Sequence, residues 1–385
     1  MLKSKTHSII YMYGFWSYLF FERSIWSVYL LAQGINAVQI GLLQTVLSFA
    51  MFLFELPSGV LSDRFGEKFT LFIGHSLTIA YLLIMWMSPN IYMLVFAFFL
   101  YGFGLSMISG SDQTLLYNQE GEKSYQEKIG VYNAISIASL ALSSFLGGIF
   151  SQESWVLVFI AGIVTQLVAI FTLLGVASTK QNLADYHPEN SISIQGILKS
   201  LKQVLIGKSK LKYLLIGIAT FQAVLSVLYN FVQLLFVEKG QGAFEISMIT
   251  TLGLIVAAIS SMLMNALNNR FTTKKIVITS LTILLAIGFL FKLKNIAVII
   301  VICLIYEFIY ELVDTSLNAT LHEEVEDQVR TSLISTGNTL TSFLMLISNF
   351  LFTILVNRIS VSSLFLMGIF ITVLVTSFCL RKYYQ

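Results

Sequence analysis

Glu307, Glu311 and Asp314 stand at i, i+4 and i+7 of an otherwise apolar run. A helix there carries all three carboxyls on one face. Acids grouped in this way can take up and release protons or hold a cation. Glu22, Glu55 and Asp112 also lie inside apolar runs, and Arg23 is the one cation in such a run. Six acids against one cation cannot all be ionised cheaply where the dielectric is low. Some of them should therefore exchange protons as a coupled set. Glu22 and Arg23 are neighbours, so on a helix their side chains leave about 100° apart and meet different partners.

Other chemistries fail on spacing. Gly207-Lys208-Ser209 resembles the end of a phosphate-binding loop, but Lys202 stands where its first glycine should be. His322-Glu323 opens a zinc-protease pattern that Glu326 breaks. Cys303 and Cys379 sit in apolar runs with no metal or disulfide spacing. An enzyme is not expected, nor a cofactor, nor a nucleic-acid partner.

The elements that must position these acids belong to a membrane. Hydrophobic residues make up 56% of the chain and charged ones 11%, with a mean hydropathy of +0.82. A water-soluble surface needs more charge than that. With only 3 Pro, long uninterrupted apolar helices are expected. A bilayer core of ~30 Å takes ~20 apolar residues per pass. Twelve segments meet this, roughly 8–31, 38–57, 70–88, 91–117, 129–150, 155–177, 211–236, 246–267, 276–292, 296–320, 331–354 and 362–380. The first run is too long for a secretory signal core, so residues 1–7 read as a cytoplasmic leader. With the N-terminus inside, the cytoplasmic side holds 18 of the 23 Lys and Arg, which sets the orientation with both termini cytoplasmic.

The longest polar stretch, 178–210, divides the chain into 1–177 and 211–385. Within it Ile194, Ile197, Leu198, Leu201 and Leu205 keep helical spacing, as in an amphipathic helix lying on the membrane surface. The two halves echo each other. Leu61, Arg64, Phe65 and Lys68 after the second segment recur as Leu267, Arg270, Phe271 and Lys274 after the eighth. Asp112 near the end of the fourth segment is matched by Asp314 near the end of the tenth.

Polar residues concentrate on every third segment. The first has Glu22 and Arg23, and the fourth has Asp112 and Gln113. The seventh has Gln222, Tyr229, Asn230 and Gln233, and the tenth has the three acids. A charge at membrane depth costs ~2.5–3.5 kcal/mol or more unless it faces a cavity or a partner. The pattern therefore marks a polar path. Glu307 and Glu311 are the expected proton-titrating or cation-binding groups, with Glu22 facing them. Glu55, Asp112 and Asp314 lie toward the cytoplasmic ends, where wetting or helix capping would also account for them. His75 reads as a hydrogen-bonded core residue. Tyr11, Trp16, Tyr18, Tyr306 and Tyr310 could line an aromatic cavity for flat or cationic ligands.

Gly59-x-Leu61-x-Asp63-Arg64-x-Gly66-x-Lys68, directly after the second segment, resembles the signature loop of the major facilitator superfamily. Glu67 departs from the basic residue usual there. Glu55-Leu56-Pro57-Ser58-Gly59 and Arg330-Thr331-Ser332 resemble bacterial drug-efflux-type members. The resemblance implies an all-α membrane protein, with twelve transmembrane helices in two pseudo-symmetric six-helix bundles. It also implies a polar cavity lined by the first, fourth, seventh and tenth helices. Asp63 and Arg64 would form a cytoplasmic latch, of which Arg270 is a weaker copy. The helix-5 antiporter pattern would end at Gly147-Gly148, but its proline is missing and Ser139, Ser143 and Ser144 fill its earlier places.

These readings lead to a monomeric, proton-driven exporter of a small amphipathic compound, cationic or neutral, in the cell membrane. An importer of a sugar, peptide or metabolite would use the same acids. A non-transporting scaffold or sensor would have no need of them.

Overall fold

A computed structural model of the chain describes residues 2–87, 90–120, 122–176, 210–293, 295–324 and 327–385. The amphipathic helix expected around 194–205 lies outside the described residues. Regular structure among the described residues is entirely α-helical. The first half contains α1 (Leu2–Ser17), α2 (Trp26–Ala32), α3 (Ala37–Phe65), α4 (Glu67–Met87), α5 (Ile91–Ile108), α6 (Ser111–Glu120), α7 (Glu122–Glu153) and α8 (Trp155–Gly175). The second contains α9 (Leu211–Glu238), α10 (Ala243–Asn268), α11 (Thr273–Leu290), α12 (Ile296–Glu324), α13 (Asp327–Leu355) and α14 (Val361–Tyr384).

Local sequence sets the helix ends. Asn36 and Gln39 form a reciprocal capping box that starts α3, at 2.9 and 3.0 Å. Ser154 caps α8 through the Val156 amide, and Asn90 caps α5 through that of Tyr92. Gly66 ends α3 at a φ of 87°, a conformation that a side chain would strain. This accounts for the second glycine of the signature loop.

Among the described residues eleven helical stretches are long and apolar enough to cross a membrane, with α5 and α6 joined as one stretch, Ile91–Tyr117. The first pass is different. A single helix was expected over 8–31, but the chain leaves helical geometry after Ser17 and resumes it at Trp26. The fourth pass is also interrupted, at Ser109 and Gly110, between α5 and α6. No proline marks either break, so scarcity of proline did not guarantee continuous helices.

The chain divides into two compact units. Unit 1 comprises Met1–Ser193 with Ala243–Thr251, and unit 2 comprises Ile194–Gly242 with Leu252–Gln385. In unit 1, α5 packs along α3 and α4, and α8 packs along α4 and α1. Ile10, Tyr13, Leu71, Leu116, Tyr132 and Leu173 meet in its core. In unit 2, α9 is wrapped by α14 and α13, with Phe231 and Phe352 stacked 3.8 Å apart. Much of the remaining surface is apolar, with Phe96, Phe171, Met262, Phe289 and Phe378 all exposed, as suits helices whose outer faces meet lipid.

Candidate functional sites

The break in the first pass frees backbone groups that have no water to bond to, and unit 1 supplies side-chain partners for them. Ser143 Oγ on α7 accepts the Phe20 N–H at 3.2 Å. Thr165 Oγ1 on α8 donates to the Leu19 carbonyl at 3.2 Å, and Gln166 Nε2 donates to that of Ser17 at 3.4 Å. The turn closes on itself where the Ile25 N–H donates to the Glu22 carbonyl at 2.9 Å. Gly147 on α7 lies against the Phe21 carbonyl so closely that an added Cβ would collide with its oxygen and stand 3.0 Å from its carbon. Serine and glycine on the fifth pass, read from sequence as remnants of an antiporter pattern, thus have a local job in seating the break.

Gln166 also orders a histidine. Its Oε1 lies 2.7 Å from His75 Nδ1, and Tyr13 Oη lies 2.9 Å from His75 Nε2. An amide oxygen only accepts, so Nδ1 carries the proton and Nε2 accepts from the tyrosine. His75 is fully buried and bonded at both nitrogens, which makes it a structural residue linking α1, α4 and α8.

Glu22 lies within the break and is 1% exposed. Within unit 1 it stands beside Leu82 of α4 and Gly162 of α8. Its neighbour Arg23 is exposed, with the guanidinium 5.8 Å from the Phe20 ring centre. The two charges diverge, as their adjacency required.

Asp112 occupies the first turn of α6, just past the break in the fourth pass. A helix N-terminus favours a carboxylate. Tyr18 Oη donates to Asp112 Oδ2 at 2.8 Å, Tyr132 Oη donates to the same oxygen at 3.3 Å, and the Gln113 N–H donates to Oδ1 at 2.8 Å. Capping and side-chain bonds therefore account for this acid, and the two broken passes meet through Tyr18.

Unit 2 repeats the pairing with different chemistry. Gln222 Nε2 on α9 donates to Asp314 Oδ1 on α12 at 2.7 Å, and Thr341 Oγ1 on α13 donates to Gln222 Oε1 at 3.1 Å. Asn318 Nδ2 donates to the Asp314 carbonyl at 2.9 Å. In each unit, an aspartate on the fourth pass is bound by a polar side chain of the first pass, at nearly equivalent positions. This is the internal repeat expressed as a contact.

Asp314→Asn is expected to leave unit 2 as stable as before, because an amide oxygen still accepts from Gln222. Asp314→Leu leaves the Gln222 amide unpaired and is expected to cost about 1–3 kcal/mol. Thermal unfolding in detergent separates the two variants.

Glu307 and Glu311 lie half-buried on α12 and turn toward α10. The Glu307 side chain covers Gly253, where a Cβ would come within 3.2 Å of its Cγ. Glu311 Oε1 accepts from Ser261 Oγ at 2.6 Å and from Thr315 Oγ1 at 3.4 Å. Among the described residues no cation pairs with either acid. The i, i+4, i+7 series therefore splits, with the two glutamates toward α10 and Asp314 toward α9. Tyr229 and Asn230 stand half-buried further along α9.

Two of the aromatic residues expected to line a cavity make hydrogen bonds within unit 2. Tyr306 is 5% exposed and donates to the Leu225 carbonyl at 2.6 Å. Tyr310 stacks on Phe221 at 5.7 Å and its hydroxyl meets Ser226 Oγ at 3.2 Å.

In the signature loop, Lys68 Nζ binds the Val176 carbonyl at the C-terminal end of α8, a site that favours a cation. Gly59 and Arg64 are exposed, with Arg64 over the Phe65 ring, and Arg270 is exposed just past α10. The side chain of Asp63 and those of Arg330, Thr331 and Ser332 lie outside the described residues.

Sequence reading missed Thr165, Gln166, Tyr132, Ser261 and Thr341. Their one signal was a hydrogen-bonding group in an apolar run, which is too common in helices to select them.

Eleven long apolar stretches among the described residues, a broken first pass, and acids bound at matching places in the two units define a polytopic membrane protein. The sequence profile of the Major Facilitator Superfamily matches residues 10–344, and the chain belongs to that family. It is similar to an uncharacterized MFS-type transporter, YxaM, of Bacillus subtilis (strain 168), with 28% identity over 202 residues. That alignment spans 51% of this chain and 49% of the relative, so it covers about half the length of each. Among solved structures, the nucleoside transporter NupG aligns with a TM-score of 0.78 at 12% identity, covering 99% of both chains. A bacterial homolog of the human lysosomal transporter Spinster, in an inward-facing and occupied conformation, aligns with a TM-score of 0.70 at 16% identity, covering 99% of this chain and 96% of that one. At such identities the likeness concerns the fold.

Proposed function

We propose that this transporter exports a small amphipathic compound, cationic or neutral, in exchange for protons, by alternating access across the cell membrane. The observation that carries the reading is the pair Glu307 and Glu311. Two carboxyls one helical turn apart, half-buried in a membrane helix and without a paired cation among the described residues, can hold protons or a positively charged substrate but not both. Competition of that kind is what exchange requires. The proton gradient is the energy source, with no cofactor. Both termini face the cytoplasm on the positive-inside argument, Asp63 and Arg64 act as the cytoplasmic latch, and the monomer is the working unit.

A second reading is uptake of a polar metabolite. The chain of hydrogen-bonding groups at Thr341, Gln222, Asp314 and Asn318 favours it, since such groups suit hydroxyls and bases. The fold neighbour NupG is a nucleoside transporter.

The test uses inside-out vesicles, acid inside, loaded with a pH-quenched dye. Lipophilic cations, macrolides and planar dyes are added in turn. The export reading expects at least one of them to restore fluorescence in vesicles carrying the protein and in none without it. If none does, and right-side-out vesicles accumulate a nucleoside, sugar or peptide with proton entry, uptake replaces export.

A further inference from the structure

Glu22 has no place in that scheme. It is buried to 1% exposure, and neither carboxyl oxygen has a hydrogen-bond partner among the described residues. Leu82 of α4 and Gly162 of α8 stand beside it. A Cβ built on Gly162 would lie 3.1 Å from Leu82 Cδ1 and 3.8 Å from Glu22 Oε2. The titratable groups that face it are few. Tyr81 of α4 and Tyr101 of α5, stacked with ring centres 4.1 Å apart, lie within electrostatic range. The charge in range is Arg23 of its own segment, and that side chain is exposed.

An ionised carboxylate buried here, with no hydrogen-bond partner for either oxygen among the described residues, would cost several kcal/mol. The neutral acid leaves only an unpaired hydroxyl and carbonyl. Something must therefore neutralise Glu22 while the first pass keeps this shape. A metal cation would gather several oxygen ligands, but among the described residues no group of three or more His, Cys, Asp or Glu side chains is placed to hold one. A proton needs no such shell.

We propose that Glu22 is an occluded proton-binding site inside the N-terminal bundle. It holds its proton while the break at 18–25 is seated on Ser143, Thr165 and Gln166, and releases it only when that seat opens. Protonation and the shape of the first membrane pass are thereby tied together. The inference goes beyond the export reading, since it requires no substrate and no use of Glu307 or Glu311.

Infrared difference spectroscopy on purified protein, without substrate or gradient, tests it. The spectrum of Glu22→Gln is subtracted from that of the native chain at neutral pH. The expected result is one protonated-carboxyl C=O band, shifted in D2O, lost in the variant and unchanged when Na+ or K+ is added. Glu22→Met, also neutral and of similar length, should remove the same band, which guards against a misfolded glutamine variant. Carboxylate bands in place of the C=O band would overturn the proposal. So would a C=O band that Na+ or K+ converts to carboxylate, which would mark a cation site. A chain that moved no compound in vesicles would leave this result untouched, so the two readings fail separately.

Discussion

Glu311→Gln is expected to abolish substrate-driven proton movement in inside-out vesicles, with Glu307→Gln close behind it. The loss should be roughly 10²-fold or more, the scale of a removed proton-transfer group. Neither change should unfold the protein. A glutamine at 311 still offers an oxygen to Ser261, which donates at 2.6 Å. A glutamine at 307 has the same shape as the side chain that covers Gly253. Fluorescence dequenching reads the coupling, and size-exclusion of the detergent-solubilised variants reads the fold. If both variants drive proton movement like the native chain, coupling does not reside on α12, and Asp112 and Asp314 come next. If substrate still moves down its own gradient while proton movement is gone, the glutamates couple without binding the substrate.

Gly147→Ala should be the most damaging small substitution in unit 1. Its new methyl would run into the Phe21 carbonyl, which belongs to backbone anchored before it by Ser143 and Thr165, at Phe20 and Leu19, and after it by the Ile25-to-Glu22 turn. Backbone held at both ends cannot swing away as a side chain can. Overpacking of this kind costs about 1–3 kcal/mol. Gly130 on the same helix has nothing within 4 Å of its built Cβ. Gly130→Ala should gain about 0.5–1 kcal/mol from helix propensity. Thermal unfolding of the two variants in one detergent compares them directly. Equal stability for both would mean that the break is not seated on α7.

The two breaks bear on mechanism. A helix crossing a bilayer satisfies its own backbone, and an interruption survives only where other groups take over that task. In unit 1, Ser143, Thr165 and Gln166 do so for the first pass. Tyr18, at the edge of that break, also binds Asp112 at the break in the fourth. A rearrangement at one break therefore pulls on the other. In unit 2 the matching residues, Gln222 and Asp314, lie on continuous helices α9 and α12. The two halves share the contact but not the hinge.

Hydropathy and charge alone lead to the expectation of twelve passes in two halves, and eleven of those passes stand as long apolar helices among the described residues, because the lipid requirement acts on each segment independently. A run of ~20 apolar residues must be a span wherever it packs. The signature loop from Gly59 to Lys68 was legible for a similar reason: its glycines and charges serve turns and helix ends close by in sequence. The acids were legible too, since an acidic residue in an apolar run stands out whatever surrounds it. Their partners were not. Whether Glu22 faces a polar path or is sealed inside a bundle depends on Leu82 and Gly162, many residues away. That the first pass breaks at all depends on Ser143, which the sequence placed in an antiporter pattern, and on Thr165 and Gln166, which read as ordinary helix residues. The helical repeat puts Glu307, Glu311 and Asp314 on one face, but only the placement of α9 and α10 sends them to different neighbours. Burial and hydrogen bonding are properties of two or more segments at once, and they exist only when the tertiary fold has brought those segments together.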